Sequence, residues 1–355
     1  MKTTNTFPSF FREHSTLFIL IVPLLLAAVI TYFAGSTLFQ RIVLALFINL
    51  ILVLGLQVFM GNSGILSFSH IGFMGIGAYA SVLFSMPPQA KMAALPDLYP
   101  ILQDVQLPFL FALLAGAMLA ALVAAVLGYP LMRLSDAAAV ITMFGMLVII
   151  HVVLVHWSQV TNGPRTLFGV ENLTSFWVAV VFGILTIVLA YWFRESALGL
   201  KLRASRDDRY AAGSIGINIV TVRWLGFILS AFVAGFAGGL WAHFITSFSP
   251  SAFYLAETFT ILAMLVVGGT GSVTGAVVGT VSVTLVREAL RALENGINSS
   301  SGASIEVFGL TEVALSIALI LILILRPGGI FGSQEIHWGK RQMMPVEENG
   351  IETGK

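Results

Sequence analysis

The chain has 355 residues, of which 57% are hydrophobic and 10% charged. Soluble domains carry about 25% charged residues, so the composition is that of an integral membrane protein. Eighteen Lys+Arg against seventeen Asp+Glu leave a formal charge of +1, which offers no global field for nucleic acid, and the absence of cysteine excludes disulfides, thiolate metal sites and cysteine nucleophiles.

A spanning helix needs about 20 apolar residues. In chain order the candidates are Leu17–Phe33, Ile42–Met60, Leu66–Phe84, Leu107–Leu127, Ala137–His156, Phe176–Phe193, Val222–Thr246, Glu257–Val267, Val273–Val286 and Phe308–Leu325. The first follows Lys2 and Arg12, and a cleaved signal peptide is its alternative reading; its length and the immediate second span argue against that. Glu257–Val267 and Val273–Val286 are short and glycine-separated, so they read either as two tilted spans or as one broken hairpin. The predicted fold is an all-α, polytopic bundle of about ten transmembrane helices, some short or broken. Residues 1–16 form an N-terminal segment, 17–332 the membrane domain and 333–355 a polar tail. No polar connection is long enough for a soluble core.

Basic residues orient the bundle. The connection 194–222 and the residue after it carry Arg194, Lys201, Arg203, Arg206, Arg209 and Arg223, six of the eighteen cations, and mark a cytoplasmic loop. Counting spans from it places both termini and Arg133 on the same side. The outer segments are then Ser85–Gln106, Trp157–Ser175, Ser247–Ala256 and Arg287–Val307. The last of these holds Arg287 and Arg291 and fits the rule least well.

The run from Gly61 to Tyr79 is dense in Gly and Ser, carries His70, and falls where a span is expected. Such backbone is tolerated at membrane depth only if buried in protein or lining a watery cavity. Gly61, Gly64, Ser67 and His70 recur every three residues and can form a polar ridge, the candidate pathway surface. The plainer alternative is a Ser67 bonded to a nearby carbonyl and a packing histidine. Asn49 and Gln57 on the preceding span are expected to face inward, because an amide in lipid is costly; interhelical bonding is the more ordinary role for either. Two rows of small residues at spacing four, Ala231/Gly235/Gly239 and Gly271/Gly275/Gly279, predict close helix packing.

The spans hold almost no charge. Asp136, Glu257 and Glu312 lie near span ends, and His151, His156 and His243 form no paired arrangement in sequence. No metal-ligand cluster, phosphate-binding loop or serine nucleophile with a matched base is visible, so the sequence predicts neither an enzyme nor a chain that binds metal or ATP itself.

Within the cytoplasmic loop, the middle of the run from Arg203 to Asn218 can form a short helix of about two turns, with Ser205 as its cap, Asp207 and Asp208 in its first turn, and Gly213 and Gly216 at its end. An ordinary basic loop that only fixes topology is the alternative.

This loop resembles the coupling loop of permease subunits from bacterial branched-chain amino acid ABC importers, through Ala204, Arg206, Asp207, Asp208, Ala211, Ala212, Gly216 and Ile217; Arg209 replaces an acidic position. Gly61, Gly64, Ser67, His70, Phe73, Gly75, Gly77, Ala78 and Tyr79 resemble a second family block. Gly268, Gly269, Gly271, Ser272 and Gly275 resemble a third, and Leu325, Arg326, Pro327, Gly329, Phe331 and Gly332 the family's ending. The pattern looks most like the M-type permease. Asn62 departs from it, and Thr161–Arg165 matches only loosely.

The resemblance implies an inner-membrane importer. Two cytoplasmic ATP-binding subunits would dock on the coupling loops, with Arg203, Arg206, Asp207, Asp208, Arg209 and Gly216 as this chain's part. A second homologous permease would complete the path, a periplasmic binding protein would deliver solute, and ATP and Mg2+ would sit on the partners, with no cofactor on this chain. Leucine, isoleucine and valine are the expected cargo, with urea or short-chain amides as alternatives. A stand-alone secondary transporter or channel, and a purely structural subunit, are the competing classes.

Overall fold

The computed structural model describes residues 15–300, 309, 313, 316, 317, 320, 324, 328–332 and 335–336. Among them, eight helices are long and apolar enough to cross a membrane, and one further apolar helix is shorter. The candidate span Phe308–Leu325 lies largely outside the described residues.

Helix α1 (Ser15–Ala34) is followed by α2 (Thr37–Leu56), which runs directly into a π-helical turn, Gln57–Gly61. The two differ in burial for a legible reason. From Ile42 on, α2 is apolar except for Asn49, and a helix apolar all round belongs inside the bundle; Phe47, Ile48 and Leu50–Leu54 are fully enclosed. α1 is uncovered over most of its surface, with Phe18, Val22, Leu26, Ile30 and Phe33 among its exposed side chains.

The third element corrects the sequence reading. Leu66–Phe84 is not one span: residues 64–68 have no regular structure, and α3 is only His70–Ser85. Two short helices, α4 (Pro88–Ala94) and α5 (Pro100–Gln103), lie beyond it. Then come α6 (Phe109–Leu131), α7 (Asp136–His156), a single turn α8 (Ser158–Thr161) and α9 (Phe176–Glu195). The basic loop folds as α10 (Ala197–Asp207) and α11 (Arg209–Ser214). α12 (Ile219–Ile245) is followed by a 3-10 turn (Pro250–Phe253), α13 (Leu255–Gly268) and α14 (Val273–Ser300).

Apolar burial does not separate one helix from another in lipid, so small residues and backbone approach decide the packing. Helices α3, α6 and α12 form the tightest unit. A Cβ on Gly77 would overlap the backbone of Gly235, and one on Gly238 would overlap that of Met74. One on Gly235 would fall 2.6 Å from the Ala120 Cβ. The predicted row Ala231/Gly235/Gly239 is thus a packing face, with Gly77, Gly116 and Gly238 as members the spacing did not single out. The second row needs a correction: Gly271 sits in the turn before α14, and its place is taken by Gly268, which packs against Gly275 and Gly279 where α13 meets α14. The pair is therefore two helices folded on each other. α14 continues to Ser300, so Arg287 and Arg291 are helical and not in an outer loop; Arg287 lies 3.8 Å from Glu257.

Tertiary contacts gather at the two ends of the bundle. At the end away from the basic loop Leu167 and Phe248 exchange both backbone bonds, at 2.8 and 3.1 Å, and Tyr99 donates to Gln159 at 2.6 Å. Lys91, fully buried there, donates to the carbonyls of Leu102 and Val105. Burial pushes its ammonium below the ordinary lysine range, and Asp104 partly opposes this. At the end that carries the basic loop, Arg223 (1% exposed) pairs with Asp136 at 2.7 Å. Glu335 and Ile336, which the sequence places in the tail, are tied to this end of the membrane domain through Arg194 and Thr16.

Candidate functional site

The break between α2 and α3 brings most of the singled-out residues together, although not as one helix face. Gly61 closes the π-helical turn, Gly64 sits at φ 74°, and Ser67 lies in the irregular stretch ahead of His70, the first residue of α3. The predicted three-residue ridge would need continuous helix, which the left-handed Gly64 interrupts.

A π-turn leaves carbonyls without their usual partners. Asn62 supplies them: its Nδ2 donates to the carbonyl of Val58 at 3.0 Å and approaches that of Gln57 at 3.4 Å. This is the function of the residue that departs from the family pattern. Beyond it the segment is extended, so successive side chains alternate in direction. Ile65, Ser67 and Ser69 are buried, while Gly64 is exposed and Leu66 and Phe68 are half-buried. Among the described residues no hydrogen-bond partner is found for the N–H groups of Leu66 and Phe68. Phe68 meets Phe144 of α7 and Phe259 of α13, with ring centroids 5.6 and 6.2 Å away.

His70 is enclosed in a directed chain of hydrogen bonds. Ser230 donates to the Gly55 carbonyl at 2.8 Å, so its oxygen accepts from His70 Nε2–H. His70 Nδ1 is then the acceptor for the Ser67 hydroxyl at 2.8 Å, and Ser69 donates to Ser67 at 3.2 Å. Both ring nitrogens of a neutral imidazole are thereby used, and the chain ties α3, α12 and α2 together. The plainer reading of His70 as a satisfied packing histidine fits this geometry.

Gln57 is the opposite case. It is fully buried in the π-turn, yet neither amide atom has a partner among the described residues. A Cβ on Gly61 would fall 3.0 Å from its Nε2. Asn49 lies about 12 Å earlier along the helix, at 1.5 Å per residue, is half-buried and is not part of this cluster.

The loop 194–222 is two helices instead of one. Ser196 caps α10 by accepting from Gly199 N at 3.2 Å. Asp208 caps α11, its Oδ1 accepting from Tyr210 N and Ala211 N at 2.8 and 2.9 Å. The predicted cap Ser205 is instead buried and bonds the Leu202 carbonyl, while Asp207 ends α10. The chain turns after α11 at Gly216, φ 85°. Arg203 donates to the Arg194 carbonyl at 3.0 Å and lies 3.8 Å from Glu195. Burial lowers the Arg203 pKa, nearby Arg194 adds to the effect and Glu195 opposes it. Arg209 lies 4.0 Å from Asp136, the partner of Arg223. Tyr210 and Ile215 are 88% and 76% exposed.

One contact joins loop and break. Arg206 reaches out of α10, packs its stem against Gly64 and donates from Nη1 to the Gly61 carbonyl at 2.7 Å. Sequence spacing gave no hint of this, because the two residues are 145 apart. Among the described residues, no group of three or more His, Cys, Asp or Glu could hold a metal ion.

The family described as "Branched-chain amino acid transport system / permease component" matches residues 38–325. The chain is similar to the high-affinity branched-chain amino acid transport system permease protein LivM of Escherichia coli (strain K12), 28% identical over 279 residues, covering 69% of this chain and 61% of the relative. It is similar to the LivH permease of Salmonella typhimurium, 32% identical over 160 residues (45% and 47% of the two chains). The guanosine ABC transporter permease protein NupQ of Bacillus subtilis is 26% identical over 225 residues, 59% of this chain and 69% of the relative. The chain thus spans about three fifths of the length of the LivM relatives it matches. No solved structure matches the chain.

Proposed function

The chain belongs to the branched-chain amino acid transport system permease family, and from that premise we propose that it is the membrane-spanning permease of an ATP-driven importer, its solute path running along the open face of residues 64–68. The observation that supports the path is the irregular segment itself. Backbone without helical bonds at membrane depth must meet protein or water and not lipid. Gly64, Leu66 and Phe68 form its less buried side, Gly64 exposed and the other two half-buried. We assign this side to the path between this chain and a second, homologous permease. Gln57, buried with an unsatisfied amide at the top of the same break, is the residue placed to bind water or a polar solute, and Gly61, Gly64, Ser67 and His70 set the shape of the break. Asn49 belongs to this path only if solute passes farther along α2.

Energy enters through partners. Two cytoplasmic ATP-binding subunits, carrying ATP and Mg2+, dock on the coupling loops, where exposed Tyr210 and Ile215 offer an apolar surface and Arg203, Arg206, Asp207, Asp208, Arg209 and Gly216 fix its shape. Solute is delivered by a periplasmic binding protein. Branched-chain amino acids are the cargo we favour, since LivM and LivH relatives bear that name. A nucleoside is the second reading, supported by the guanosine permease relative and by Phe68, Phe144 and Phe259, whose faces suit a planar base. Urea and short-chain amides have no observation of this kind.

The test is purification of the tagged chain in mild detergent, with mass spectrometry of what accompanies it, followed by reconstitution with those partners. ATP-dependent uptake of leucine supports the first cargo and uptake of guanosine the second. A chain that purifies alone and transports without ATP overturns the importer reading.

A further inference from the structure

The family's terminal motif folds back onto the junction between α13 and α14. Ile330 N donates to the Val267 carbonyl and Phe331 N to that of Gly268, both at 2.9 Å, so the last carbonyls of α13 gain partners from a segment about 60 residues on. The approach is close: a Cβ on Gly269 (φ 121°) would fall 2.7 Å from Gly332 N. Glu335 then crosses to the start of α14. Its carboxylate accepts from Val273 N at 2.7 Å, from Thr274 N at 3.0 Å and from the Thr274 hydroxyl. The same carboxylate pairs with Arg194 at 2.7 Å, and the Glu335 side chain is 2% exposed. A helix N-terminus favours an anion, and a buried carboxylate is retained only when its lone pairs are used. Here four donors use them.

Arg194 stands where α9 passes into the coupling loop, and its carbonyl holds Arg203 of α10. One carboxylate therefore bonds the base of the coupling loop to the first turn of α14. We infer that Glu335 is a positioning residue for coupling: it fastens the terminal motif, the α13–α14 junction and the base of the coupling loop into one unit, so that a displacement imposed on α10 and α11 is transmitted to α14 as well as to the break at Gly61. This rests on the importer reading for its consequence, but the fastening itself does not.

The experiment compares Glu335→Gln with the unaltered chain in two measurements. The first is trypsin cleavage at Lys201, Arg203, Arg206 and Arg209 in inside-out vesicles, which needs no transport. Loss of the anchor is expected to raise the cleavage rate about fivefold, equivalent to about 1 kcal/mol; an unchanged rate overturns the fastening. The second is solute taken up per ATP hydrolysed in the reconstituted complex, expected to fall about fivefold while ATP hydrolysis continues; an unchanged ratio overturns the role in coupling. If the unaltered complex shows no ATP-driven uptake, the importer reading fails while the cleavage result still stands. Should Glu335→Gln not accumulate in the membrane, Glu335→Asp, which keeps the charge and shortens the reach, is expected to move both readings in the same direction by less. No movement in Glu335→Asp together with an intact fold overturns the inference.

Discussion

Arg206 of the basic loop donates a hydrogen bond to the carbonyl of Gly61, the last residue of the π-helical turn ahead of the break. The bond is short, at 2.7 Å, and the arginine stem lies against Gly64, where a Cβ would stand 2.9 Å from Arg206 Cγ. Loop and break therefore cannot move independently without losing this contact. Arg206→Ala is expected to lower uptake about fivefold, the effect of about 1 kcal/mol for a charged hydrogen bond at a partly wetted site. ATPase subunits should still co-purify. Normal uptake per ATP in the reconstituted variant would sink the idea.

The alternation of residues 64–68 predicts a labelling pattern, and the absence of cysteine makes it easy to read. Leu66→Cys and Phe68→Cys should react readily with a membrane-impermeant thiol reagent. Ser67→Cys, buried between them and bonded to His70, should react at least about tenfold more slowly, as buried sites open only transiently. Equal rates at all three positions would show that the segment is not extended.

Ser230→Ala removes the acceptor for His70 Nε2–H and the donor to Gly55. A buried polar group left without a partner costs about 1–3 kcal/mol. The midpoint of thermal unfolding in detergent is expected to fall by several degrees, with Ser230→Thr closer to the parent than Ser230→Ala. No shift in Ser230→Ala would mean that His70 finds another partner.

Glycines should separate into two classes. Gly238→Ala forces α12 away from the Met74 backbone, and overpacking of this kind costs about 1–3 kcal/mol. A Cβ on Gly213, in exposed α11, meets nothing within 4 Å, so Gly213→Ala should be neutral or slightly stabilising, within about 1 kcal/mol. Thermal unfolding of the two variants side by side decides the point.

The long spans were legible because lipid demands long apolar runs, and the basic connection from Arg194 to Arg223 was legible as a segment between two of them. Gly235 and Gly239 were legible for a similar reason, since small residues at spacing four have few other uses in lipid. What failed was local continuity. The apolar run from Leu66 to Phe84 hides a break, because the residues that make it, Gly64 in a left-handed conformation and Asn62 serving freed carbonyls, are themselves compatible with a helix in one dimension. Ser205 and Asp208 both satisfy the composition of a cap, and only tertiary burial of Ser205 decides between them. Links such as Arg206 to Gly61 and Glu335 to Arg194 join residues more than a hundred positions apart, and nothing in a single sequence marks such a pair. The structure divides the candidate path residues: both ring nitrogens of His70 are bonded, Gln57 has no amide partner among the described residues, and Asn49 lies apart.

The terminal motif also constrains how the chain is made. The carbonyls of Val267 and Gly268 receive their partners from Ile330 and Phe331, and α14 receives its capping carboxylate 62 residues after Val273. At about 5–20 residues per second, synthesis reaches those partners several seconds later. For that interval the α13–α14 hairpin has its Gly268, Gly275 and Gly279 contacts to hold it but an open joint. The joint closes only when the downstream motif arrives, so its completion depends on a segment made after the hairpin itself.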